Sequence, residues 1–426
     1  MLTIKNFDVI IKEATLSSGV PVLLFQKKGM PIHIELLLAS GSRFDPIGKE
    51  GLAHFVEHMI VAGSNKFPSK DKLATYIEQL GGIFRAGTSA DTMSLKVEVA
   101  EKADFAKSVL LLKEAFTEAL FDDKVIENER GSIFKEMGDK LSNPSKHIWD
   151  LYSELFFQDT EVGKSILGTE ESVSTISKED LHGYYQNMLV SGRAIVAVCG
   201  DIEIGQVVSE LETGLPLRIS KKYYFGESLP VVRNRSMLTH RYKDQKQVHI
   251  IIGFRTTGIK NQKTIPLNII STIFGGGRAS ALSRKLRYEK GLVYSVGTYS
   301  HHLSNGGAWV VKTSTSKDKL QEVVDIITKE FSRIESGGVT KEELEFAKAK
   351  IIKSSRRQMQ TSASWVDGHI RKELVGNSMR LPEYLNMINS TKKSDLADIG
   401  REYFKPGAWY LAMCGDVDET SVIVNY

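Results

Sequence analysis

Cysteine is all but missing from this chain: Cys199 and Cys414 are the only two thiols in 426 residues. Two such residues cannot build a disulfide framework or a cysteine-based metal cluster. A surplus of charge of one sign is missing too, since 56 Lys+Arg stand against 52 Asp+Glu for a net charge of +4. That balance makes no case for a nucleic-acid groove or a membrane-binding surface. No stretch approaches the apolar run that a transmembrane helix needs. The opening residues, Met1 to Asp8, have neither a signal-peptide core nor the Arg/Ser-rich character of a transit peptide. The cytoplasm is therefore the expected compartment, with no nucleic-acid and no membrane partner.

What is present is the composition of a globular protein, 41% apolar and 25% charged. The length exceeds one ordinary core and implies two or more domains. The cysteines indicate how they arose. Residues 194–201 (Ala-Ile-Val-Ala-Val-Cys-Gly-Asp) are echoed half a chain later by 409–416 (Trp-Tyr-Leu-Ala-Met-Cys-Gly-Asp), and Ile32-His33-Ile34 is echoed by Val248-His249-Ile250 at nearly the same offset. An internal duplication is the economical reading. Both cysteines are then buried small apolar residues at equivalent strand ends. From Gly214 to Pro230 the composition is that of a linker, in which Lys221 and Lys222 read as solvated. We expect a first domain over 1–215, a linker over 216–236 and a homologous second domain over 237–426.

Periodicity sets the elements. Two strands flank the Ser17-Ser18-Gly19 turn within 8–26, and a third follows at 32–40. Helices are expected around His54 and over 69–80, 103–120, 123–141, 148–155 and 178–188, the second stopped by Gly81-Gly82. Leu95, Val97 and Val99 alternate with polar neighbours, so 83–99 resumes strand character. The second half repeats the order, with strands at 248–254, 292–299 and 307–314 and helices at 264–274, 279–288, 317–335, 340–360 and 362–375. It closes on a strand near Cys414. Gly275-Gly276-Gly277-Arg278 lacks the Lys-Ser/Thr of a phosphate loop and reads as a turn. His301 and His302 read as loop residues.

The stretch with the clearest chemistry is Gly51-Leu52-Ala53-His54-Phe55-Val56-Glu57-His58-Met59. Residues four apart on a helix share a face, so His54 and His58 can point their imidazoles at one ion. Glu57 projects beside them. His-x-x-Glu-His is the inverted form of a zinc-hydrolase signature, in which two neutral imidazoles hold the metal and a carboxylate takes a proton from water. A third ligand must come from elsewhere. Glu129 and Glu136 lie two turns apart on one face of the 123–141 helix. By themselves they read more readily as solvated helix carboxylates, and many other acids compete for the role. The second half carries Leu267, Ile270 and Ser271 where His54, Glu57 and His58 stand, so only the first half holds the metal motif. Its own distinctive stretch runs from Leu286 to Ser295, where Arg287 and Tyr294 flank one corner.

Together these stretches resemble the pitrilysin-type zinc peptidases, in the branch of two-domain subunits related to mitochondrial processing peptidase. The likeness spans nearly the whole chain. It rests on Gly41-Ser-Arg-Phe44, the segment from Gly51 to Met59, Leu80-Gly81-Gly82, the segment from Glu129 to Glu136, Ile166-Leu-Gly168-Thr-Glu170, and Leu286-Arg287 with Gly291-Leu-Val-Tyr294. The resemblance implies an α+β fold of two homologous domains, each an antiparallel-rich mixed sheet with helices packed on one face. It implies zinc held by His54, His58 and Glu136, with Glu129 as supporting acid and Glu57 as general base. It implies a substrate-binding strand at Phe84-Arg85-Ala86, where Arg85 replaces the asparagine usual in the family. It also implies that Arg287 and Tyr294 act in trans on a partner subunit, two chains closing like a clamshell around a chamber. The expected protein is a zinc metalloendopeptidase or oligopeptidase that cuts extended peptides or unfolded segments as a homodimer. A heterodimer with a paralogous subunit, or a non-catalytic assembly subunit of the same fold, are the alternatives.

Overall fold

The computed structural model describes residues 2–4, 7–158, 160–191, 194–215, 228–229 and 235–426. In chain order the strands are β1 (Leu2–Ile4), β2 (Val9–Thr15), β3 (Pro21–Gln26), β4 (Ile32–Leu38), β5 (Ile83–Thr88), β6 (Met93–Val99), β7 (Ala194–Gly200), β8 (Ser236–Arg241), β9 (Gln247–Thr256), β10 (Val296–His302), β11 (Gly307–Ser316) and β12 (Tyr410–Gly415). The helices are α1 (Leu52–Ala62), α2 (Lys70–Gln79), α3 (Phe105–Thr117), α4 (Asp123–Leu141), α5 (Pro144–Phe156), α6 (Glu170–Thr175), α7 (Lys178–Ser191), α8 (Ile204–Gly214), α9 (Thr264–Phe274), α10 (Leu320–Glu335), α11 (Lys341–Gln358), α12 (Ser362–Asp367), α13 (Ile370–Leu374), α14 (Leu381–Ser390) and α15 (Lys393–Tyr403). The linker expected over 216–236, with Lys221 and Lys222, lies almost wholly outside the described residues; Ser236 already opens β8.

The strands form two mixed sheets, ordered β1-β2-β3-β7-β4-β6-β5 and β10-β11-β9-β12-β8. In the first, β7 lies between parallel β3 and antiparallel β4. In the second, β12 lies between parallel β8 and antiparallel β9. The registers coincide, for His33 pairs with Cys199 and His249 with Cys414. The duplication is thus one of topology, and the fold is the expected α+β pair of antiparallel-rich sheets. Both cysteines are buried, and burial pushes each thiol up to about 12, as fits inert packing residues.

Two compact units contain these sheets, and neither is a contiguous half of the chain. The first comprises Met1–Met137, Ser165–Tyr224 and Arg357–Met379, the second Gly138–Lys164, Phe225–Arg356 and Arg380–Tyr426. The division expected at 216–236 therefore leaves out an exchange of segments: α5 belongs to the second unit, and α12 and α13 to the first. Each exchanged segment covers a sheet face that the other helices leave open. In the first unit Ile34, Leu36 and Leu38 of β4 share a core with Phe55, Val56, Met59 and Ile60 of α1 and Phe105, Val109, Leu112 and Phe116 of α3. On the opposite face Trp365 and His369 pack on Phe25, with ring centroids 5.7 and 4.7 Å away. In the second unit Phe254 packs toward α10 and α15 through Phe331 and Phe404, while Phe156 of α5 meets Tyr410 at 5.1 Å. Cover on both faces explains why all seven residues of β4 are buried, whereas β6 alternates.

Several local expectations need correction: the strand expected at 292–299 begins only at Val296, and the helix expected over 362–375 is two, α12 and α13. His301 and His302 end strand β10, paired with Ala308 and Gly307, instead of lying in a loop. Aromatic stacking of His301 on Trp149, at 5.2 Å, stabilises that extended end. The helix expected over 279–288 is a π-helical turn from Ser283 to Glu289, which carries Arg287. Among the described residues no helix is long and apolar enough to cross a membrane.

Candidate metal centre

Helix α1 is positioned before it starts. Asp45 accepts from the backbone N–H groups of Gly51 and Ala53, both at 2.8 Å, and so caps the first turn. Gly51 has φ of 95° and Gly168 has φ of 75°, and a Cβ on either would strike the other loop's backbone, at Leu167 O and Glu50 O respectively. Two stretches far apart in sequence are thereby pressed together at the head of the helix. Phe55, Val56, Met59 and Ile60 anchor its apolar face, each fully buried side chain contributing about 1.5–3 kcal/mol. The remaining stripe presents His54, Glu57 and His58.

Helix α4 is held against it by Arg130. The guanidinium lies 5.1 Å over the Phe55 ring and donates to Ile176 O at 3.0 Å and to Val173 O. Arg130 thus fixes the side of α4 from which its two flanking acids approach α1. Glu136 Oε2 lies 3.8 Å from His54 Nε2 and 3.8 Å from His58 Nε2. The three ligand atoms all fall within 4.8 Å of one another, and the imidazole centroids are 4.6 Å apart. Zinc–ligand bonds of about 2.0–2.2 Å set neighbouring ligand atoms about 3.3–3.5 Å apart in a tetrahedron, so the two contacts of Glu136 need to close by only a few tenths of an ångström. The donor set fits zinc.

Glu129 plays a different part. It is buried and lies 3.0 Å from His58 Nδ1, with Lys70 Nζ 2.7 Å from the same oxygen. Burial by itself would raise this carboxyl; the hydrogen bonds from His58 and Lys70 outweigh it and hold Glu129 below the usual range. An ionised carboxylate only accepts, so the proton sits on His58 Nδ1 and the lone pair on Nε2, toward Glu136. Burial pushes the Glu57 carboxyl above its usual range, opposed by the Thr88 hydroxyl, which donates to Oε2 at 2.8 Å.

Lys70 and Thr88 escaped the sequence reading. Lys70 opens α2 and Thr88 closes β5, and neither position carries a local motif. The only available signal for Thr88 was its place at the end of the strand named for substrate. That strand, β5, is the edge of the first sheet, with Phe84 and Ala86 half-buried and Arg85 exposed. Arg287 and Tyr294 belong to the second unit, where the guanidinium stacks 5.2 Å from the Tyr294 ring. Tyr294 is 81% exposed, an unusual state for a large aromatic side chain.

A two-sheet α+β fold with His-x-x-Glu-His on one helix and a carboxylate from another defines a class of metallopeptidase architecture. Within it, the chain belongs to peptidase family M16: residues 24–170 match "Insulinase (Peptidase family M16)" and residues 175–351 match "Peptidase M16 inactive domain". It is similar to an uncharacterised zinc protease of Bacillus subtilis, YmxG, at 24% identity over 93% of this chain and 96% of that one. It is also similar to the human mitochondrial-processing peptidase subunit alpha, at 24% identity over 96% of this chain and 82% of that one. A solved protease from Helicobacter pylori has the same fold, with a TM-score of 0.86, 20% identity, and coverage of 95% and 99%.

Proposed function

We propose that this chain is a zinc-dependent endopeptidase or oligopeptidase acting on extended peptides or unfolded segments. The observation that carries the reading is the convergence of His54, His58 and Glu136 beside a half-buried Glu57. Bound there, zinc would supply Lewis-acid polarisation and lower the pKa of water toward about 7. Glu57, held by Thr88, takes a proton from the attacking water and returns it to the leaving amine. Glu129 and Lys70 keep His58 in the tautomer that ligation requires. An extended substrate adds to the free edge of β5 through main-chain hydrogen bonds, beside Phe84, Arg85 and Ala86.

In this reading Arg287 and Tyr294 stabilise the oxyanion on the site of a second copy, and the protein works in the cytoplasm as a homodimer. The exposure of Tyr294, stacked on Arg287, supports such a role. A heterodimer, or a non-catalytic subunit, is the second reading, favoured by the relative named as a subunit and by the match to an inactive domain. The test is turnover of an unstructured peptide by the purified chain, lost to a chelator, restored by zinc, and absent in Glu57→Gln. Equal turnover by Glu57→Gln would remove Glu57 as the base; a zinc-loaded, dimeric chain that cuts nothing would favour the second reading.

A further inference from the structure

The face of the first sheet turned away from α1 carries polar groups for which the peptidase reading has no use. His33 and Glu35 stand two apart on β4, so both project from that face, and they are only 4% and 2% exposed. Across the ladder on β6 their partners are Glu98 and Lys96. Glu98 engages His33 Nδ1 at 3.2 Å, which leaves Nε2 as the lone-pair nitrogen. That Nε2 is buried and makes no hydrogen bond among the described residues. Asp367, the last residue of α12, arrives at the same place. One His33 ring nitrogen, one Glu35 oxygen and one Asp367 oxygen lie within 4.8 Å of one another.

The pattern repeats that of the first centre. There Glu129 holds Nδ1 of His58, whose Nε2 faces a carboxylate; here Glu98 holds Nδ1 of His33. Charge points the same way. Two carboxylates share one ammonium, that of Lys96, 2.5 Å from Asp367 Oδ1 and 3.4 Å from Glu35 Oε2. Lys96 therefore serves the carboxylates and leaves His33 Nε2 without a partner among the described residues. An ion that accepts lone pairs from nitrogen and oxygen alike would serve all three groups.

We propose that His33, Glu35 and Asp367 form a second, structural divalent-metal site of the zinc type, for which the Lys96 ammonium is the competing cation. Such an ion ties β4 to the late segment that supplies α12. Lys96 is half-exposed and can swing its ammonium into water when the ion enters.

The test does not depend on peptidase activity. In a His54→Ala/His58→Ala variant the first centre has lost both imidazoles, so zinc retained after dialysis and gel filtration reports on the second. Metal analysis should give about one ion per chain. Adding Asp367→Asn should remove it without unfolding the chain, because that side chain is 52% exposed; a circular-dichroism melt checks the fold. Adding Lys96→Met should tighten zinc binding by at least about tenfold, as the competing charge is gone. The proposal is overturned if the double variant holds no zinc, or if zinc survives both Asp367→Asn and His33→Gln. Binding seen only with Lys96→Met would also overturn it, since the cluster would then be an ion-pair network in the natural chain.

Discussion

Lys70 Nζ and His58 Nδ1 converge on one oxygen of Glu129, at 2.7 and 3.0 Å. A residue at the start of α2 therefore helps to set the tautomer of His58, a proposed metal ligand on α1. Removing the acid should release that ring. We predict that Glu129→Gln weakens zinc binding by about 10–100-fold, the usual cost of losing an outer-shell partner. Lys70→Met should cost less, because Glu129 keeps its bond to His58. Competition with a chromophoric chelator measures both.

Gly51 and Gly168 form the seam at the head of α1. Alanine at either should destabilise the chain by about 1–3 kcal/mol, because a left-handed φ and a backbone collision act together. Since the seam positions α1, zinc content should fall along with the denaturant midpoint. Unchanged stability in Gly51→Ala would show that the seam can open without cost.

The pairing of Arg287 with Tyr294 leads to a complementation experiment. Glu57→Gln and Tyr294→Phe should each be inactive alone. After subunit exchange, a mixture should recover part of the wild-type turnover, because one site of a mixed dimer has both groups intact. No recovery after confirmed exchange would count against action in trans.

His249 should make the second unit sensitive to acid. Burial, with Lys312 nearby, holds its imidazole below the ordinary 6.5. The unfolded chain therefore binds the proton more readily than the folded one. The stability this contributes is present above 6.5 and is lost as the pH falls through the lowered value. His249→Gln should flatten that acid limb in thermal melts recorded between pH 7 and pH 5.

How much of this was legible in the residues depends on the range of the forces involved. The placement of His54, Glu57 and His58 on one stripe follows from helix geometry over a single turn, so the motif could be read directly. Helix α4 was readable residue for residue, since its pattern and its ends are local. The duplication was legible because both sheets bury the same strand between the same neighbours, and burial restricts residue choice at Cys199 and Cys414 alike. Other features had no local trace. On their residues alone, Glu129 and Glu136 were interchangeable. Arg130, packed on Phe55 and bonded to the end of α6, makes one a buried support and leaves the other half-exposed beside two imidazoles. Lys70, Thr88 and Asp367 reach their partners only because segments distant in sequence pack together. The exchange of α5 with α12 and α13 is likewise a matter of which open sheet face each helix can bury, a choice made by the whole chain. In this protein the sequence by itself determined the stripe of His54, Glu57 and His58, the repeat and the α+β class, all products of short periodicities. Tertiary packing decided which carboxylate supports His58, which one faces both imidazoles, and how two units were assembled from interleaved segments.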